Sequence, residues 1–358
     1  MFLQPEKTDT ARRMSTPVEL GYRMPAEWEP HEATWISWPH PDGISFPGHY
    51  KNVIPTFVRM VEILSESEIV RINVADSQQE QTIRSLLKKA NLEQVEFFPV
   101  PTNEPWCRDH GPIFVLRDVD PQLAVVNFGY NAWGWKYLPF DADDAVPTQI
   151  ANRLKLPLFD CADFMLEGGS IDVNGAGTLL TTKSCLLNPN RNPTYSPQQI
   201  EDRLRQFLGV REILWLGDGI EGDDTDGHVD DLTRFVSVNT VVTAVEEDEN
   251  DPNYEPLQSN LQLLQATQLN GKESLNVLRL PMPAPLYRNG QRLPATYANF
   301  FIANEVVLMP AFSDVHDAWA LSVLKEAFPT RRIVPLDCRD LIWGLGAFHC
   351  LTQQQPAV

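Results

Sequence analysis

The chain has 358 residues, with 29 Lys or Arg against 48 Asp or Glu, a formal net charge of −19. Such a field repels nucleic acid and anionic lipid and favours small cations. Hydrophobic residues make up 43%, enough for a large core, which excludes wholesale disorder; no apolar run approaches the roughly 18 residues of a membrane span. The cysteines at 107, 161, 185, 338 and 350 include no CxxC pair, which argues against a disulfide framework or zinc ribbon and for a reducing cytoplasm.

Residues 1–20 are polar and aperiodic and are expected to form a flexible tail, with Met14 an alternative start and no segment apolar enough for a signal peptide. Residues 21–358 contain no Gly/Ser tract or charge block and are expected to form one catalytic domain. The first unit pairs strands near Ala33–Trp38 and Ile69–Val74 around a helix near Val53–Ser65. A module then recurs, made of a polar head, a strand, a tight turn and a second strand, which is a β-hairpin signature. Asp109-His110-Gly111-Pro112 heads Ile113–Leu116 and Leu123–Phe128. Glu167-Gly168-Gly169-Ser170 heads Ile171–Val173 and Thr178–Thr182, followed by a helical pattern over Pro197–Leu208. His228-Val229-Asp230-Asp231 heads Leu232–Val236 and Thr240–Val245, and Tyr297-Ala298-Asn299 heads Phe300–Ala303 and Val306–Met309. The heads at 109, 167, 228 and 299 lie 58, 61 and 71 residues apart. Five units of about 70 residues fill the chain, the spacing of a radial repeat; hydropathy alone also admits an ordinary mixed α/β sheet.

In a radial arrangement the heads converge, bringing Asp109, Glu167, His228, Asp230 and Asn299 together. Buried carboxylates need a counter-ion. The acidic run Gly222–Asp231 does not fit an EF-hand loop, because aligning Gly227 with the loop glycine puts Gly222 at the first ligand position and Thr233 at the bidentate-Glu position. No HExxH-like pair supports zinc. A guanidinium fits better, since two carboxylates such as Asp109 and Asp230 can grip its planar fork. Cys350, after a stretch containing Gly344 and Gly346, is the candidate nucleophile. Cys161 and Cys185 read as core, Cys107 lies near the pocket, and His349 reads as structural, pointing away from Cys350 if that segment is extended.

The chain resembles the agmatine deiminases and their bacterial peptidylarginine-deiminase-like relatives, in the guanidino-modifying pentein superfamily. The resemblance runs from about Met24 to Pro356 and rests on Met24-Pro25-Ala26-Glu27-Trp28-Glu29-Pro30-His31, Trp106-Cys107-Arg108-Asp109-His110-Gly111-Pro112 and Asn131-Ala132-Trp133-Gly134. It continues through Glu167-Gly168-Gly169-Ser170, Leu179-Leu180-Thr181-Thr182, Cys185-Leu186-Leu187-Asn188-Pro189-Asn190-Arg191-Asn192-Pro193, Thr225-Asp226-Gly227-His228-Val229-Asp230 and His349-Cys350-Leu351-Thr352-Gln353-Gln354.

The resemblance implies an α/β fold, a five-bladed pseudo-symmetric propeller around a central active-site pocket. It implies a catalytic set of Cys350, His228, Glu167, Asp230 and Asp109, with Trp106 lining the substrate pocket. It implies no metal and no cofactor, and as partner a small cationic guanidine, agmatine first, rather than nucleic acid or membrane. Homo-oligomers occur in the family, but no interface is legible here. Many agmatine deiminases have Gly-Gly-Gly-Asn-Ile where this chain has Gly344-Leu345-Gly346-Ala347-Phe348, which bears on the substrate's distal end. Free arginine or peptidyl-arginine is the alternative substrate, with Arg108, Arg191 and Arg234 as candidates for a carboxylate. Further alternatives are an amidinotransferase, a metal-dependent hydrolase using the acidic run, and a non-catalytic guanidine-binding protein.

Overall fold

The structure, a computed structural model, describes residues 15–358. Most of the expected tail lies outside these residues; within it, Val18–Leu20 forms a 3-10 turn closed by the Gly21 amide on the Val18 carbonyl. Five mixed sheets carry the rest, with two short hairpins at Gln268–Ser274 and Tyr287–Arg292. Ile113–Leu116 runs antiparallel to Leu123–Gly129, which runs parallel to Leu158–Met165. The same pattern recurs in Asp172–Val173, Thr178–Thr182 and Glu212–Leu216; in Thr233–Ser237, Thr240–Val245 and Asn276–Pro281; and in Phe301–Ile302, Val306–Ala311 and Arg332–Asp337. None of these sheets closes on itself. No helix of the described residues is long and apolar enough to cross a membrane.

Each parallel pair is joined across a helix, as a parallel connection requires. The helices are Tyr50–Leu64, Ser77–Leu86, Val146–Leu154, Pro197–Leu208, Tyr254–Ala266 and Asp317–Ala327. Their sequences explain both their limits and their buried faces. Pro197–Leu208 opens with Ser196 and Gln199 in a reciprocal capping box and Pro197 in the first turn, and it ends at Gly209 in the left-handed region (φ 70°). Its buried residues Ile200, Leu204, Phe207 and Leu208 form one stripe. Tyr50–Leu64 buries Val53, Phe57, Met60, Val61 and Leu64 on the same logic. Leu123–Gly129 is buried along its whole length, consistent with an apolar run broken only by Asn127, whose side-chain amide donates to Asp160, at a covered sheet centre.

The first sheet differs. His31–Ser37 pairs in parallel with Ile69–Val74, which pairs with Val95–Pro99, but its antiparallel partner is the C-terminal strand Thr352–Pro356. Gln355 secures this closure, accepting from Trp35 Nε1 at 3.0 Å and Arg71 Nη1 at 2.6 Å. The first unit thus obtains its hairpin partner from the far end of the chain, and the segment just before that partner is the Cys350 turn, Phe348–Leu351.

Replacing Ser196 with Ala removes the cap of Pro197–Leu208, far from the heads. It should cost about 1 kcal/mol of stability, read by denaturant unfolding, with any enzymatic activity unchanged.

Candidate active site

Each sheet places one polar head at the start of its antiparallel hairpin. Asp109 lies in the turn Cys107–His110 before Ile113, and Glu167 precedes the 3-10 turn Gly168–Ser170. His228 and Asp230 flank and enter the turn Val229–Asp231, Asn299 precedes Phe301, and Cys350 precedes Thr352. The structure brings all of the expected site residues together. Cys350 Sγ lies 2.9 Å from Asn299 Nδ2 and 3.7 Å from Asp230 Oδ2. His228 Nδ1 stands 3.6 Å from Asp109 Oδ1 and 3.9 Å from Asp230 Oδ1. Glu167, Cys185 and His228 place donor atoms within 4.8 Å of one another.

Backbone geometry fixes these heads. Asp109 accepts from the Gly169 amide at 2.9 Å and from Trp133 Nε1 at 3.0 Å. Gly169 has to be glycine, because a Cβ there would stand 2.6 Å from His228 Nδ1, 2.7 Å from Asp109 Oδ1 and 3.0 Å from Asp230 Oδ2. Asn299 Oδ1 accepts from the amides of Ala347 and Cys350, each at 3.2 Å, pinning the cysteine turn while its Nδ2 faces the sulfur. Four buried polar atoms in this group have no hydrogen-bond partner: both ring nitrogens of His228, Asp230 Oδ1 and Glu167 Oε2. Groups of this kind are suited to take a polar ligand.

Electrostatics divide the titratable groups by role. Burial would lower the pKa of His228, but Asp109, Cys185 and Asp230 outweigh it and hold the ring well above its usual range, as an imidazolium. Burial raises the Asp109 carboxyl to about 6; His228 opposes the rise while Asp230 and Glu167 add to it. Burial, then the carboxylates Asp230, Asp231 and Asp109, push the Cys350 thiol far above its usual value, so the resting site holds a neutral thiol. Burial also lifts Asp231, helped by Asp230. Asp230 goes the other way: burial would raise it, but the hydrogen bond and charge of His349 hold it down.

The environment of His349 corrects the sequence reading. The segment is a helical turn, not an extended strand, so alternation does not apply. The ring is buried, with Nδ1 2.7 Å from Asp230 Oδ2 and Nε2 2.9 Å from Glu27 Oε2. Glu27 was quoted only as part of a motif and is a second hub, taking Arg234 as well. The partner usually expected for Glu167, His228, is not hydrogen-bonded to it; Glu167 Oε1 accepts from Arg191 Nε at 2.5 Å. Cys185 is core, as expected, yet its thiol lies beside His228. Cys107 is buried and its thiol is pushed up to about 12.

The arginines considered for a substrate carboxylate are internal counter-ions. Arg234 binds Asp172 and Glu27, Arg191 binds Glu167 and Asp226, and Arg108 reaches Gln354 at 2.7 Å. Asp223 and Asp226 of the acidic run are also committed to the protein, while Asp224 accepts from the Tyr137 hydroxyl and lines the cavity above Cys350. Asp223 accepts from Thr225 and the His228 amide, and Asp226 accepts from Lys136, Asn190 and Arg191.

Above Cys350 and Asp109 opens a cavity of about 320 Å³. Trp106, Trp133, Tyr137 and Trp343 wall it, Trp106 as expected. Its rim includes Asp224 and, from the Tyr287–Arg292 hairpin, Arg288 and Asn289. That hairpin falls in a segment where sequence reasoning found no site residue. Its Asn289-Gly290 turn, with φ of 50° and 81°, is a two-residue hairpin signature that could have revealed it.

The site and fold define a guanidino-modifying enzyme class, the pentein fold. Residues 23–356 match the model of the Porphyromonas-type peptidyl-arginine deiminase family, and the chain belongs to that family. It is 38% identical over 366 residues to the agmatine deiminase of Pseudomonas aeruginosa (strain LESB58), covering 96% of this chain and 98% of that one. The solved agmatine deiminase of Enterococcus faecalis is 34% identical, with a TM-score of 0.88 over 96% of this chain and 98% of its own. A cysteine-to-serine variant of the C. jejuni agmatine deiminase with substrate bound is 34% identical, with a TM-score of 0.86 over 93% and 96%.

Gly169→Ala forces apart three of the converging groups, so kcat/KM should fall by about 100-fold or more with the fold retained, checked by turnover and circular dichroism. Because the resting thiol is neutral, inactivation by iodoacetamide should be slow at pH 7. It should accelerate steadily as pH rises through 9, about tenfold per unit; a plateau by neutral pH would show a preformed thiolate.

Proposed function

We propose that the protein hydrolyses the guanidinium of agmatine to N-carbamoylputrescine and ammonia, a hydrolase reaction on the C–N bond of a linear amidine. The observation that carries this reading is that Cys350 and Asp109 line one aromatic-walled cavity, with Asp230 buried 3.7 Å from the sulfur and His228 buried 3.6 Å from Asp109. Asp109 and Asp230 take the planar cation and align its carbon with the sulfur. Binding adds a positive charge among carboxylates that had kept the thiol neutral, so Cys350 gives its proton to solvent water as substrate arrives. The thiolate attacks the guanidinium carbon. The imidazolium of His228 gives its proton to the departing nitrogen, ammonia leaves, and a thiouronium remains on sulfur. The now neutral imidazole takes a proton from water, hydroxide attacks the same carbon, and as the C–S bond breaks the adduct's hydroxyl proton passes to the sulfur, releasing the neutral ureido product and restoring the thiol. Glu167, fixed by Arg191, sets the charge around His228.

The pocket wall favours agmatine over arginine. Arg288 is the guanidinium that lines the cavity among the described residues, and it is already held, over the Trp343 ring at 4.5 Å and on the Trp343 carbonyl at 2.8 Å. Asp224 on the same rim offers a carboxylate for a distal ammonium. The five repeated sheets with converging heads support a five-bladed α/β propeller in one catalytic domain over residues 21–358. Five free, buried cysteines are in keeping with a reducing cytoplasm.

Ammonia and ureido-product release should be measured with agmatine, free arginine and an arginyl peptide in parallel. Agmatine should be turned over, and Cys350→Ala should lower kcat by several orders of magnitude while retaining binding. Undiminished turnover in the variant would exclude the covalent route, and turnover of arginine alone would move the substrate assignment.

A further inference from the structure

A buried chain of charge leads out of the pocket floor on the side away from His228. Asp230 is fully buried, and its two oxygens are unequal. Oδ2 faces His349 Nδ1 at 2.7 Å, Asn299 Nδ2 at 3.3 Å and Cys350 Sγ at 3.7 Å. Oδ1 has no hydrogen-bond partner and stands 3.9 Å from His228 Nδ1. The His349 ring is spent on both sides, because its Nε2 lies 2.9 Å from Glu27 Oε2. A ring with a carboxylate at each nitrogen satisfies both only when both nitrogens carry hydrogen. Glu27 is anchored in turn by Arg234 and by the Ile302 amide at 3.2 Å, with Arg108 Nη2 at 3.9 Å.

We propose that His349, backed by Glu27, is a positioning residue for the reaction: it keeps Asp230 ionised and turned so that Oδ1 is the oxygen free for the guanidinium. The need for such a device follows from the neighbourhood. Asp230 lies among Asp109, Asp231 and Cys350, and two like charges in one buried site favour protonating one of them. The groups that work against protonating Asp230 are His349 first, then His228 and, further out, Arg234. His228 is committed to moving protons, so it cannot also be the fixed counter-charge of Asp230 through the cycle. His349 can, because its outer nitrogen is held by Glu27 and the residue does not line the cavity. The charge that sets Asp230 is thereby separate from the charge that changes during turnover. The arrangement parallels a second-layer carboxylate fixing the ring of a histidine, here used to fix a carboxylate.

This proposal rests on the guanidinium-hydrolase reading of the pocket. The test is the pH dependence of kcat/KM for agmatine in wild type, His349→Gln and Glu27→Gln. In wild type the acid limb reports Asp109, whose carboxyl is pushed up to about 6, and should follow about one proton. In His349→Gln a second carboxylate must be deprotonated, and the two titrate as a pair. The limb should then move up by about one pH unit or more and steepen towards two protons. Activity at pH 6 would fall about tenfold or more beyond any loss at pH 9. Glu27→Gln keeps the ring and removes its outer charge, so its limb should move the same way by less. A loss of equal size at every pH, with the limb unmoved, would make His349 merely structural and overturn the proposal. If His349→Gln does not fold, Glu27→Gln decides on the same criterion. Wild-type turnover with unmoved limbs overturns the relay alone; absence of wild-type agmatine turnover at every pH overturns the relay and the reading beneath it.

Discussion

Charge buried out of water has to be matched within the protein, and the centre of this molecule is organised by that requirement. Glu27, Asp109, Glu167, Asp172, Asp230 and Asp231 are all buried, and so are Arg108, Arg191, Arg234, His228 and His349. Taking an ion from water into such a place costs several kcal/mol unless partners are close and well aligned. The pairs here are close: Arg234 on Asp172 and Arg191 on Glu167, each at 2.5 Å. The first of these links two sheets, since Asp172 begins one sheet and Arg234 lies in the next. That ion pair is thus a constraint on how the two sheets meet as much as a source of stability. Removing one partner would strand a buried charge, at roughly 3–5 kcal/mol.

The same balance prepares the pocket for one kind of ligand. Asp230 is held ionised by His349, while Asp231 is driven towards its neutral form and Asp109 sits near the edge of ionisation. The thiol is neutral because the nearby charge is negative. A bound monocation offsets the new thiolate, so substrate entry and proton loss from Cys350 leave the buried charge unchanged. Proton loss alone would be opposed by the surrounding carboxylates. A neutral ligand of the same shape would fill the cavity without activating the sulfur.

What could be read from the sequence was what is local. The hairpin strands Ile113–Leu116, Thr178–Thr182 and Thr240–Val245 are found where the alternation of apolar runs and turns put them, because register and turn are set by neighbouring residues. Heads at regular spacing correctly led to Asp109, Glu167, His228, Asp230 and Asn299 sharing one centre. The unit containing Ala33–Trp38 was incomplete, since its missing strand lies more than 300 residues away and no periodicity records such a pairing. His349 was misread because one assumption, an extended segment, set its direction. A helical turn there puts adjacent side chains within reach of one centre. Glu27 had no local signal of function at all; its role exists only once Arg234, His349 and Arg108 surround it. Cys350 was marked by the glycines before it, and the family resemblance points to the same thiol among the five buried ones.

The position of Cys350 follows the same pattern as the other heads. Cys350 is the head of the first sheet, as Asp109, Glu167, His228 and Asn299 are the heads of the other four. Its turn is held by Asn299 on one side and runs straight into the strand Thr352–Pro356 that pairs with His31–Ser37 on the other. The sulfur therefore reaches its place only when the last sheet has met the first. Glu27, just before that first strand, must be in position at the same time to receive His349. Closure of the chain, pairing of the buried charges and assembly of the pocket are one event, in which the residues joining the two chain ends also set the ionisation of the floor.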